Sequence, residues 1–312
     1  MKIAIVGYGI QGRAQALNLR DSGNDVVIVN REDTYLDTAI DDGFSVLPMA
    51  AALEGAEVIF LLIPDAVQDE ILESQIFPNI NEGATLIFAH GYWLTYEAGP
   101  LPTNINILMI APRFPGEQIR QTFVAGGGVP AYVDVVQDYA KNAEQTLDLL
   151  CDAPGYAAGG IIQLSYKQET ELDLFIEQFM APTFFASAET AYEILVEKGY
   201  PKEAVCLELY YSGELGAVRT MMGRDGLYSG FQNNASPTCQ YGVASSRKLL
   251  WGEDMKEKAK MQLERITSGG FSREISNHES AAQTLDDFVN SDLAKDIKAT
   301  ETSVNTLVKK FL

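Results

Sequence analysis

The stretch Lys2-Ile3-Ala4-Ile5-Val6-Gly7-Tyr8-Gly9-Ile10-Gln11-Gly12 decides the fold. Its four consecutive apolar residues, Ile3–Val6, read as a strand buried on both faces. A GxGxxG pattern follows at once, and Gln11–Ser22 reads as a helix. In this strand–turn–helix context a glycine-rich motif carries a dinucleotide. Gly7 permits the tight turn, Gly9 lets the backbone approach a pyrophosphate, and Gly12 lets the helix pack on the strand. The helix N-terminus then offers amide donors and a positive dipole end to the phosphates.

Further along the chain the same texture repeats. Val26–Val29, Val58–Ile63, Thr85–Phe88 and Ile105–Ile110 are short apolar runs separated by helix-like segments such as Leu47–Leu53. Ala131–Val135 and Gly160–Leu164 extend the series. Such alternation predicts an α/β fold with an N-terminal Rossmann doubly wound sheet. From about Gln163 long helical periods take over, as in Gln168–Lys198 and Lys256–Arg265. We therefore expect a dinucleotide-binding domain over 1–162 and an all-α domain over 163–312.

Charge excludes whole classes of partner. The chain has 312 residues and a formal net charge of -20. Nucleic acid needs a basic face, and an anionic membrane surface repels an acidic protein. Neither is expected as a partner. The longest apolar run, Val58 to Pro64, is too short to span a bilayer. Cys151, Cys206 and Cys239 form no CxxC pair, and the start resembles no secretory signal, so a reducing cytoplasm is expected. With only His90 and His278 as histidines, any metal has to sit mainly on oxygen ligands.

Candidate site residues lie at strand ends and on two helices. Asn30-Arg31-Glu32-Asp33-Thr34 follows the second strand. A neutral Asn30 with Arg31 beside it favours NADPH over NADH, because Arg31 can pair a 2′-phosphate. Glu32 and Asp33 would repel that phosphate unless they point away. His90 closes the fourth strand and Arg113 follows the fifth, where ligands of doubly wound folds bind. Asp173 and Glu177 stand at i and i+4 beside the apolar row Leu172, Phe175, Ile176 and Phe179. Two like charges at that spacing invite a hard cation such as Mg²⁺, although an exposed acidic helix face has the same pattern. Glu208 falls on the stripe Ala204, Tyr211, Leu215, Val218 and Met222, so we expect one helix that buries this carboxylate.

Several of these blocks together resemble ketol-acid reductoisomerase (acetohydroxyacid isomeroreductase) in its short form with a single helical C-terminal domain. The carriers are Gly7–Gly12 with Ala16-Leu17-Asn18-Leu19, and Leu62-Ile63-Pro64-Asp65 with Val67-Gln68. Ala89-His90-Gly91, Met109-Ile110-Ala111-Pro112-Arg113 with Pro115-Gly116, and Gly128-Val129-Pro130 add to them. The block Lys167 to Gln178 is the most specific.

The resemblance implies alkyl migration on a small 2-hydroxy-3-keto acid of the acetolactate type, then hydride transfer from NADPH to give a 2,3-dihydroxy acid. That is a step of branched-chain amino-acid synthesis. It implies two Mg²⁺ ions, with Asp173 bridging both, Glu177 on one and Glu208 of the partner subunit on the other. His90 and Arg113 would line the polar site, and Ser236 matches a serine that holds the substrate carboxylate. Cofactor contacts would come from Gly7, Tyr8, Gly9, Ile10, Gln11, Gly12, Asn30, Arg31, Thr34, Pro64 and His90. A homodimer or larger homo-oligomer with a site shared between subunits is implied.

The departures fall on the metal and substrate side. A second family glutamate, one turn after Glu208, is Ser212 here, which weakens the second metal site. Glu214 lies about 600° around an ideal helix from Glu208, at about 100° per residue, and so should face elsewhere. The family lysine is Arg113, which cannot give up a proton, and the next residue is Phe114 in place of glycine. The small-residue turn after the Asp173 helix becomes Ala181-Pro182-Thr183, and the stretch before Tyr241-Gly242 reads Ser236-Pro237-Thr238-Cys239-Gln240. These changes keep open a divergent paralogue that reduces a different 2-keto acid or imine without isomerisation. A non-catalytic nucleotide-binding protein is the remaining reading.

Overall fold

A computed structural model describes residues 1–308. The described residues divide into two compact units, Met1–Leu172 and those from Asp173 onward. The first is built on an eight-stranded sheet: β1 (Lys2–Val6), β2 (Asp25–Val29), β3 (Ser45–Val46), β4 (Val58–Leu61), β5 (Thr85–Phe88), β6 (Asn106–Pro112), β7 (Ala131–Gln137) and β8 (Ile161–Gln163). Their spatial order is β3-β2-β1-β4-β5-β6-β7-β8. The order reverses direction between β1 and β4, which is the switch point where ligands of such sheets bind. All pairings are parallel except β6 with β7.

Alternating side chains explain why the strands read as unbroken apolar runs. Ile3 and Ile5 join Val26, Ile28, Phe60 and Leu108 in the core on one face of the sheet. Ala4 and Val6 join Val27, Ile59, Leu61 and Leu86 on the other. Both faces are covered, so neither position of the period-two repeat can be polar. Two elements were not evident from the sequence: the two-residue strand β3 and the helix α2 (Thr34–Asp41). Of α2 only Ala39 is buried, so its apolar signal is faint.

Unit two is helical. Its first part is the long helix Tyr166–Glu197, within which the division between the units falls. Ser165 starts it: its hydroxyl accepts from the Gln168 amide at 3.3 Å and pairs with Gln168 Oε1 at 3.0 Å, as a capping residue does. The Tyr166 amide donates to Asp134 of β7 at 2.8 Å. The helix continues through Pro182, so Ala181-Pro182-Thr183 is helical and not a turn. Tyr192, Val205, Cys206 and Val304 form a small core in this unit. Among the described residues, no helix is long and apolar enough to cross a membrane.

The expected single helix through Glu208 is not present. The chain forms a short helix at Lys202–Cys206, a wide π turn at Leu207–Tyr211, and a new helix at Glu214–Asp225. Gly213, at φ 80°, breaks the path between them. Regular helical arithmetic therefore fails over this segment.

Candidate active site

At the carboxyl end of β1 the glycine turn closes as its sequence demands. A Cβ on Gly12 would lie 1.9 Å from the Gly7 carbonyl oxygen, and Gly7 itself sits at φ 101°. Only glycine permits both the left-handed turn and this approach of helix α1 (Ile10–Asp21) to the strand. The Gly7 amide donates to Val29 O at 2.8 Å, which ties the turn to β2. The Tyr8 amide donates to Asn30 Oδ1 at 2.9 Å. Tyr8's ring is fully buried, and its hydroxyl pairs with Asp42 at 2.9 Å. Burial first, and then Asp42, push the Tyr8 phenol well above its ordinary range. Its part in a nucleotide site is therefore confined to the backbone. Gln11 donates to the Phe114 carbonyl at 3.0 Å, while Ile10 is 65% exposed at the mouth of the turn. Pro64 follows β4 and Thr34 opens α2, both at the same end of the sheet.

Around Arg31 the loop is organised by a carboxylate. Arg31 Nε pairs with Asp33 Oδ2 at 2.8 Å, and Asn30 Nδ2 donates to Asp33 Oδ1 at 2.8 Å. Asp33 thus does not point away from Arg31, as a bare phosphate-binding arginine would require.

The polar centre is built on Glu169, which sequence reading passed over. Its side chain has no solvent exposure. One carboxylate oxygen accepts from Arg113 Nη1 at 2.9 Å. The other meets His90 Nδ1 at 2.9 Å and accepts from the Gly91 amide at 2.9 Å. His90 and Arg113 come from the ends of β5 and β6, and Glu169 from the first turn of the long helix. That helix can approach because residue 91 is glycine: a Cβ there would lie 2.3 Å from Tyr166 O. The Arg113 guanidinium also lies over the Tyr132 ring, 5.0 Å from its centroid.

The electrostatics follow from burial. Burial alone would lower His90, but the hydrogen bond and charge of Glu169 outweigh it, so the His90 pKa is raised. Asp65, in the turn that follows β4, is raised by burial first, against the opposing charge of His90, and the Glu169 charge adds to the rise. The structure brings His90 and Arg113 together through Glu169, an acid that had no assigned part. The available signal was its spacing: Glu169, Asp173 and Glu177 form one i, i+4 row.

On that row Asp173 is half-buried and Glu177 exposed. Their apolar neighbours are not buried within the chain: Leu172 is 40% and Ile176 49% exposed. Glu208 is also exposed, which corrects the expectation of a carboxylate on a buried stripe. The π turn and the Gly213 break release Ala204 to Met222 from one common face. Ser212 Oγ accepts from the Glu214 amide at 3.4 Å. Glu214 lines a cavity of about 270 Å³ together with Ser236 and Cys239. Ser236 caps the helix Pro237–Leu250 through its hydroxyl. His278 opens an exposed helical turn and takes no part in the polar centre.

Comparison with known proteins decides the family. Residues 1–160 match the model for the acetohydroxy acid isomeroreductase NADPH-binding domain, and residues 166–310 match that for the ketol-acid reductoisomerase C-terminal domain. The chain belongs to the ketol-acid reductoisomerase family. It is an NAD(P)H-dependent oxidoreductase of that type. It is 37% identical over 286 residues to a ketol-acid reductoisomerase (NADP(+)) of Pyrobaculum aerophilum, covering 91% of this chain and 86% of the relative. A ketol-acid reductoisomerase (NADP(+)) of Caldivirga maquilingensis is 34% identical over 290 residues, 92% of this chain and 88% of its own. Among solved structures, an NADH-preferring ketol-acid reductoisomerase from an uncultured archaeon superposes with a TM-score of 0.89. It is 30% identical and covers 99% of this chain and 95% of its own. The family's lysine position is Arg113 here, and that arginine is held between Glu169 and Tyr132.

Proposed function

We propose that the chain is an NADPH- and Mg²⁺-dependent ketol-acid reductoisomerase. Its substrate would be a small 2-hydroxy-3-keto acid of the acetolactate type, its product a 2,3-dihydroxy acid in branched-chain amino-acid synthesis. The observation that carries this reading is the buried Glu169, which holds His90 and Arg113 at two strand ends and begins the carboxylate row Asp173 and Glu177. The domain over 1–162 would hold the dinucleotide on Gly7–Gly12, Asn30, Arg31, Thr34, Pro64 and His90. The helical domain over 163–312 would hold metal and substrate. The relatives named for NADP(+) support NADPH as a cofactor.

The donor set suits a hard cation, since Asp173, Glu177 and Glu208 all offer carboxylate oxygens. Asp173 and Glu177 would hold Mg²⁺ together with the partner subunit's Glu208, with one or two ions bound. Bound there, Mg²⁺ supplies Lewis-acid polarisation of the substrate's carbonyl and hydroxyl oxygens. The protein's own groups do the rest. Glu169 keeps His90 oriented by accepting at Nδ1, which leaves Nε2 for the substrate side. Arg113 supplies a fixed positive charge, and Ser236 offers a hydroxyl to the substrate carboxylate. A homodimer would cover the apolar surface that one chain leaves open, including Leu249 at 84% and Leu250 at 74% exposure.

Metal removal tests this reading. NADPH oxidation driven by acetolactate should stop in excess EDTA and return when Mg²⁺ is restored. Turnover that persists in EDTA contradicts the assignment. Reduction of other keto acids or imines, with acetolactate untouched, would favour the divergent paralogue instead.

A further inference from the structure

Beside the polar groups at the carboxyl ends of β1, β5 and β6, two large apolar side chains stand open to solvent. Ile10 is 65% and Phe114 45% exposed. One exposed apolar side chain needs no explanation by itself. Phe114 is set apart by its footing and its place. It follows Arg113, whose amide donates to Pro130 O at 2.8 Å and whose guanidinium is held by Glu169. Its own carbonyl accepts from Gln11 Nε2 at 3.0 Å. Two residues on, Gly116 lies close against the start of α1, where a Cβ would come within 2.1 Å of Ile10 O. The backbone that carries Phe114 is thus fixed on one side to the residue before β7 and on the other to the first turn of α1. Phe114 links the glycine turn to the polar centre of His90, Arg113 and Glu169.

We propose that the Phe114 ring packs on the nicotinamide ring of the bound dinucleotide and keeps water from the face it covers. The inference rests on the reading that Gly7–Gly12 hold the pyrophosphate of a nicotinamide dinucleotide. With its pyrophosphate at the start of α1, a dinucleotide lies across the switch point, one half over each side of the sheet. The adenosine half lies toward β2, which Asn30–Thr34 follow. The nicotinamide half lies toward β4, β5 and β6, the side whose strand ends carry His90 and Arg113. Phe114 is placed on that side, one residue beyond Arg113. A reduced nicotinamide is a flat, uncharged ring with two weakly polar faces. Charged groups such as Arg113 and Glu169 do not complement such a face, whereas an aromatic ring stacks on it and takes apolar surface of both partners out of water. Glycine, which stands at this position in the family pattern, has no side chain to offer. The adenine and the 2′-phosphate lie on the other side of the switch point. The ring therefore strengthens NADPH and NADH alike.

The test is Phe114→Ala, which removes the ring and keeps the carbonyl that Gln11 holds, with Phe114→Tyr as the variant that retains an aromatic face. Dissociation constants are measured by calorimetry on the full chain for NADPH, for NADH and for ADP-ribose 2′-phosphate, which is NADPH without its nicotinamide ring. Phe114→Ala should weaken NADPH and NADH alike by about tenfold, the equivalent of about 1.4 kcal/mol, the order that stacking of an aromatic side chain on a base supplies. ADP-ribose 2′-phosphate should bind within twofold of wild type, and Phe114→Tyr should hold NADPH within twofold. NADPH affinity unchanged within twofold in Phe114→Ala overturns the role of Phe114 alone. So does an equal loss for ADP-ribose 2′-phosphate, which would show that residue 114 acts on the glycine turn and not on the nicotinamide. Binding of neither dinucleotide by the wild type overturns the dinucleotide reading together with the inference.

Discussion

Glu169→Ala is expected to destabilise the folded chain by about 3–5 kcal/mol, the cost of breaking a buried ion pair from one side. The carboxylate is fully buried and has three partners: Arg113, His90 and the Gly91 amide. Truncation removes the acceptor of the buried Gly91 amide and one acceptor of Arg113, and a buried donor that loses its acceptor costs more than the bond itself contributed. The loss exceeds that at any surface pair of this protein, such as Lys258 with Asp254, which is exposed on both sides and worth at most about 1 kcal/mol. Urea unfolding measures it as a lower midpoint at constant slope. A change under about 1 kcal/mol would show that the pair is solvated. Glu169→Met combined with Arg113→Met should cost less than the sum of the single changes, because each single change already breaks the same direct contact.

The second large effect is on turnover. Asp173→Asn should lower Mg²⁺-dependent kcat by about a thousandfold or more, the scale seen when a main electrostatic contribution to catalysis is removed. Asparagine keeps the size of the side chain and removes the charge that would hold the cation. NADPH binding by the glycine turn should remain within twofold of wild type, since Gly7–Gly12 lie on a different unit from Asp173. Unchanged kcat in the variant would show that this helix does not carry the metal.

How much of this was legible in the sequence depended on how local the signal was. The glycine turn and strands β1, β2, β4, β5 and β6 are local patterns of four to seven residues, and each is where its pattern put it. The antiparallel direction of β7 is not encoded in Ala131–Gln137, because a buried strand reads the same either way. Glu169 sits in the polar run Lys167–Glu171, where only its i, i+4 spacing to Asp173 sets it apart from a solvated acid. Its partners His90 and Arg113 are 79 and 56 residues away in the chain. The Glu208 segment failed for a different reason. Spacings of three and four assume a regular helix, and the π turn at Leu207–Tyr211 with the left-handed Gly213 breaks that regularity. Ser212-Gly213 was the available warning, since glycine in that place commonly ends a helix.

The departures from the family pattern bear most on the first half of the proposed reaction, an alkyl migration that asks for polarisation of two oxygens at once. Ser212 offers no charged oxygen, and Arg113 holds its proton. The most direct measurement therefore gives the protein, with NADPH and Mg²⁺, either acetolactate or its already isomerised form, 3-hydroxy-3-methyl-2-oxobutanoate, and identifies the products. Turnover of both to the same 2,3-dihydroxy acid is the predicted result. Turnover of the isomerised form alone, or of neither, would contradict the assignment as a reductoisomerase.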